Sequence, residues 1–149
     1  MLEQIGQAKH AGADGIVTGA LTAELDVDQL RTTELIDAAR PLPVTFHRAF
    51  DACPDLATAL ARLIDLRVDR VLTSGGARTA PGGAERIRRL VIQAAGRIGI
   101  LAGGRIDGDN VARLVHETGV REVHFSVKDA EKVRNVIRAT CGDKSSRLA

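Results

Sequence analysis

A chain of 149 residues, 44% hydrophobic and 27% charged, is long enough for one domain with its own core. Twenty-one basic residues against 19 acidic leave a net charge of +2, and aromatics are 2% with neither Trp nor Tyr. That excludes a base-stacking platform for nucleic acid, and no apolar run approaches the roughly 20 residues of a membrane span.

The opening residues, MLEQIGQAKH, lack the apolar centre of a signal peptide, so a cytoplasmic location is expected. Cys53 and Cys141 stand far apart and form no CxxC pair, so no disulfide framework is expected. Arg86, Arg88 and Arg89 share one predicted helix and read as a solvated face rather than a nucleic-acid patch.

In chain order, apolar spacing predicts a first helix over Leu2 to Ala11, stopped at Gly12. Gly15 to Val17 reads as a short strand, and a polar loop follows from Thr22 to Asp28. The next helix runs from about Asp28 to Ala39, with Leu30, Leu35 and Ile36 facing inward. Pro41 and Pro43 break it, and Val44 to His47 is the second strand. Cys53-Pro54-Asp55 opens a third helix, with Pro54 in its first turn. Arg70 to Thr73 is the third strand, and Gly75, Gly76, Gly82 and Gly83 bracket the loop beyond it. A helix from Ala84 to Ala95 precedes a fourth strand, Ile98 to Ala102. Asp109 is expected to cap a helix from Asn110 to Glu117. Glu122 to Ser126 is the fifth strand, and Asp129 caps a last helix through about Thr140. The remainder, Gly142 to Ala149, reads as a frayed tail.

Strand and helix thus alternate at a pitch of roughly 23 to 29 residues, the spacing of parallel strands joined by helical crossovers. The strands are continuous apolar runs, as in a sheet covered on its faces. Their polar ends favour the (β/α)8 barrel over a doubly wound sheet, although only five of eight strands are read here.

Barrel chemistry sits at the C-terminal ends of the strands. His47 is the first candidate, as an acid/base or metal-ligating imidazole. Arg48 suits an anion clamp, since a guanidinium meets carboxylate or phosphate bidentately. Asp51 can orient either of them, or serve as a turn residue. His124, sharing strand parity with Glu122 and Ser126, is expected to face the same cavity as His47. Two glycine loops, Ser74-Gly75-Gly76 and Gly103-Gly104, bare backbone amides that suit a phosphate, with Ser126 beside the second. A metal site from His47, His124 and Cys53 is the remaining arrangement. Of the two cysteines, only Cys53 stands near the mouth.

The segments GADGIVTGALT (12–22), PVTFHRAFD (43–51), VDRVLTSGG (68–76), ILAGGRI (100–106) and VREVHFS (120–126) resemble, in order and spacing, the copper homeostasis protein CutC family. The resemblance covers nearly the whole chain and implies a single CutC-like domain over residues 1–149, a (β/α)8 barrel of which this chain carries roughly the last five units. It implies copper handling or tolerance, and copper as a bound metal rests on the resemblance alone, since Cu(I) prefers thiolate or thioether and only Cys53 is near the mouth. A second reading of the same residues is an enzyme acting on a small anionic or phosphorylated metabolite, His47 as acid/base and Arg48 as clamp. A third is a non-catalytic fragment of a longer protein. With five strands, the outer ones are expected to pair with further strands, from missing N-terminal units or from another copy.

Overall fold

The computed structural model describes residues 1–127 and 129–141. Five parallel strands form one sheet in sequential order. They are β1 (Ile16–Thr18), β2 (Val44–Phe46), β3 (Arg70–Thr73), β4 (Gly99–Gly103) and β5 (Glu122–His124). The helices are α1 (Leu2–His10), α2 (Gln29–Ala39), α3 (Leu56–Asp65), α4 (Ala84–Ala94), α5 (Val111–Thr118) and α6 (Ala130–Cys141). The sequential strand order makes this five consecutive units of the (β/α)8 type.

Each strand presents alternate residues to two faces. Ile16, Val44, Phe46, Val71, Ile100 and Ala102 are buried in the core, together with helix residues such as Leu60, Leu63, Ile87 and Leu114. The register places Val17, Thr45, Arg70 and Gly99 side by side on the other face, with Leu72, Leu101 and Glu122. Val17 is 65% exposed there. On this face Arg70 reaches across β4 and binds Glu122 through two nitrogens, Nη2 at 3.1 Å from Oε1. Gly99 makes the crossing: a Cβ there would stand 3.3 Å from Arg70 Cγ.

Several boundaries differ from the sequence-based expectation. In α2 the buried stripe is Thr32, Leu35, Ile36 and Ala39, and Leu30 is 82% exposed. Leu30 lies five residues before Leu35, about 140° around the helix from it. Asp55, not Pro54, starts α3, because its carboxylate accepts the N–H groups of Ala57 and Thr58. Asp109 caps nothing: Asn110 holds the N-cap position of α5, and Asp107 Oδ1 takes the N–H groups of Asp109 and Asn110. β5 ends at His124, so Ser126 lies beyond it. Asp129 does cap α6, accepting from Lys132 N at 2.7 Å. The tail expected over residues 142–149 lies outside the described residues.

Candidate functional site

Strand β2 ends one residue earlier than its composition suggests, at Phe46. His47 then leaves the sheet as the N-cap of a 3-10 turn over Arg48–Ala52, and its Nδ1 accepts the N–H of Ala49 at 3.3 Å. Strand parity therefore does not set the direction of this imidazole. The 3-10 turn swings Arg48 and Asp51 over the end of β3.

Asp51 is the centre of the group. Oδ1 accepts from the Thr73 hydroxyl and from Gly76 N at 2.8 Å. Oδ2 accepts from Ser74 N at 3.0 Å and from Arg48 Nε at 2.8 Å, with the Ser74 hydroxyl also 3.0 Å away. Burial alone would push this carboxyl up. The bonds from Thr73, Gly76, Ser74 and Arg48 outweigh it and hold the acid below the usual carboxylate range. Gly75 N is taken as well, by Thr73 Oγ1 at 2.8 Å. The Ser74-Gly75-Gly76 loop is indeed an anion nest, but the chain fills it with its own carboxylate. This corrects the expectation of a phosphate at Ser74 and Gly75: their N–H groups are already engaged.

Arg48 is held at two of its three nitrogens. Nε binds Asp51, and Nη2 binds the Ser74 hydroxyl at 2.6 Å with Ala77 O at 3.4 Å. Nη1 donates to no oxygen among the described residues and faces the loop after β4, where a Cβ on Gly104 would come within 3.3 Å of it. Gly104 has φ of 119°, a conformation that suits glycine. It is thus glycine for backbone shape and for the close approach of the guanidinium. Gly103 packs on the other face, its missing Cβ 2.6 Å from Leu72 Cδ1 and 3.5 Å from His124 Cβ.

The other candidates are not gathered here. His124 is exposed at the end of β5, three strand spacings or about 14 Å along the sheet from β2. Ser126 is exposed beyond β5 and makes no hydrogen bond to the Arg48–Asp51 group. Cys53 is buried, its thiol pushed up by burial and by the neighbouring Asp26 carboxylate, with Arg62 opposing. Asp26 and Arg62 pair at 2.6 Å. Among the described residues no three His, Cys, Asp or Glu side chains are arranged to hold a metal ion, so His47, His124 and Cys53 do not form a ligand set. The donor left over in the group, Nη1 of the Arg48 guanidinium, fits an anion and not Cu(I). Sequence reasoning placed Gly76 in an anion loop but did not foresee that Asp51 would be the anion it meets, nor that the Thr73 hydroxyl would join it. The signal was a hydroxyl residue leading a Ser-Gly-Gly turn straight off a strand.

Comparison with known proteins accords with this architecture. The CutC family model matches residues 1–129. A CutC family protein of Pasteurella multocida is 51% identical over 128 residues, which is 86% of this chain and 52% of that protein. One from Glaesserella parasuis is 47% identical over 128 residues, 86% of this chain and 53% of its own length. The chain thus spans about half the length of these curated relatives. The structure of a Streptococcus agalactiae protein described as a copper homeostasis protein, CutC, superposes with a TM-score of 0.78 at 31% identity, covering 83% of this chain and 60% of that one. Mandelate oxidase shares the fold alone, with a TM-score of 0.60 at 18% identity. On the extent of these matches, and on the strand-end motifs that carry them, the chain belongs to the CutC family.

Proposed function

We propose that the protein acts in copper homeostasis, as the description of its S. agalactiae relative suggests, and that its own chemistry is the capture of a small anionic ligand at the strand ends. One observation carries the chemical half: Arg48 is fixed through Nε and Nη2, while Nη1 faces the bare backbone of Gly104. A guanidinium already held in place loses little freedom on binding carboxylate or phosphate. Copper then enters as the metal whose level the protein serves, with no ligand set for it among these residues. A cytoplasmic place of action is part of the proposal. No helix among the described residues is long and apolar enough to cross a membrane.

Isothermal titration with inorganic phosphate and with citrate tests the anion reading. Arg48→Ala is expected to weaken binding about 10- to 100-fold, the loss of a charge-assisted hydrogen bond worth roughly 1.5–3 kcal/mol. Arg48→Lys is expected to recover only part, because an ammonium lacks the planar fork. Binding indifferent to residue 48 would reject the clamp. Competition for Cu(I) against a chelator is expected to give equal uptake for wild type, His47→Ala and Cys53→Ala. Lower uptake in either variant would return that residue to metal coordination.

A further inference from the structure

We infer that His47 is locked in the tautomer that carries its proton on Nε2, and that it works as a hydrogen-bond donor and neither as a base nor as a metal ligand. The tautomer of a neutral imidazole is set by the bond its other nitrogen makes. Here that bond is unambiguous in direction. The backbone N–H of Ala49 can only donate, so Nδ1 must offer its lone pair at 3.3 Å. The proton of the neutral ring is left for Nε2. Phe46 meets the ring edge-on at 5.7 Å between centroids, and the backbone beneath it is anchored, the His47 main-chain N–H donating to Thr18 O at 3.0 Å.

Nε2 has no hydrogen-bond partner among the described residues. His47 lines a cavity of about 340 Å³ with Gln4, Ile5, Ala8, Val17 and Thr18. A donor fixed at its wall selects an acceptor, such as a carbonyl, carboxylate or phosphoryl oxygen. A nitrogen that carries a proton has no lone pair for Cu(I) or for abstracting a proton. Serving as either would require moving the proton to Nδ1, which would then face the Ala49 N–H donor to donor. The inference stands apart from the Arg48 clamp, since it concerns a different wall of the strand ends.

The test is long-range ¹H–¹⁵N correlation of the histidine rings in the ¹⁵N-labelled chain at about pH 8, above the ordinary imidazole range. The His47 signals are assigned by their loss in His47→Asn. The expected pattern is a pyridine-type Nδ1 and a pyrrole-type Nε2; the reverse overturns the inference. Amide exchange at Ala49 gives a second readout. His47→Asn keeps an acceptor where Nδ1 stands, and His47→Ala does not. Exchange at Ala49 is expected to accelerate about tenfold in His47→Ala and to stay near wild type in His47→Asn. Equal exchange in all three proteins would show that Nδ1 holds no proton donor, and would also overturn it. Failure of phosphate binding at Arg48 leaves both readouts unaffected, so the two proposals fail separately.

Discussion

Asp51→Asn is expected to lower the melting temperature at pH 7 by roughly 6–12 °C, for a loss of about 3 kcal/mol in a domain of this size. The substitution keeps size and shape. It replaces an acceptor-only carboxylate with an amide whose NH2 must face a donor, whether Gly76 N, Ser74 N or Arg48 Nε. The side chain is 10% exposed, so water does not repair the mismatch. The pH dependence gives a second check. The folded carboxyl titrates below its ordinary value, so its contribution is complete above the unfolded pKa of about 3.9 and is lost as pH falls through the lower folded value. The gap between wild type and variant is therefore expected to be full at pH 7 and to narrow on acidification below about pH 4. Thermal melts by circular dichroism across that range measure it. Equal melting at pH 7, or a gap that persists unchanged in acid, would show that the carboxylate does not organise the loop.

A second large effect is expected at Gly83, where the chain before α4 passes the loop after β3. A Cβ there would stand 1.9 Å from the Ser74 carbonyl oxygen and 2.9 Å from its carbonyl carbon. Both atoms are backbone, so no side chain can turn aside. Gly83→Ala must displace Ser74 itself, and with it the N–H that Asp51 holds. The cost is expected at or above the upper end of overpacking, about 3 kcal/mol. Gly6→Ala is the matched control. That glycine sits within α1 with nothing within 4 Å of its missing Cβ, and alanine there is expected to stabilise by roughly 0.5–1 kcal/mol. Urea unfolding of both variants, one losing and one gaining midpoint, checks the pair. Gly83→Ala with a wild-type midpoint would mean that the close approach is not maintained in solution.

The alternation of apolar runs and amphipathic stretches made the fold legible, because burial on a parallel sheet imposes it directly on composition. Arg48 and Asp51 were legible as a charged pair just past a strand. What filled the Ser74-Gly75-Gly76 turn was not. A glycine turn shows that amides are bared, but the anion that meets them comes from a residue more than 20 positions earlier, and only the pairing of β2 with β3 brings it there. Cys53 and His124 were placed at the mouth by their nearness to strand ends in sequence. Cys53 follows a 3-10 turn that carries its thiol into the buried core, and β5 stands too far around the sheet for His124 to meet His47. Leu30 misled for a simpler reason: hydrophobicity alone does not say which side of a helix a residue occupies.

The crossing of Arg70 over Gly99 to Glu122 gives the curved sheet a polarity of access. All three residues stand at the N-terminal ends of their strands, while Leu72, Leu101 and Gly103 occupy the same face nearer the other end. A solute approaching from the first direction meets the Arg70–Glu122 ion pair across β3 to β5. One approaching from the second meets small and apolar groups with the guanidinium of Arg48 above them. The two ends of this sheet face thus differ in chemistry, an ion pair from β3 to β5 at one and small or apolar residues at the other.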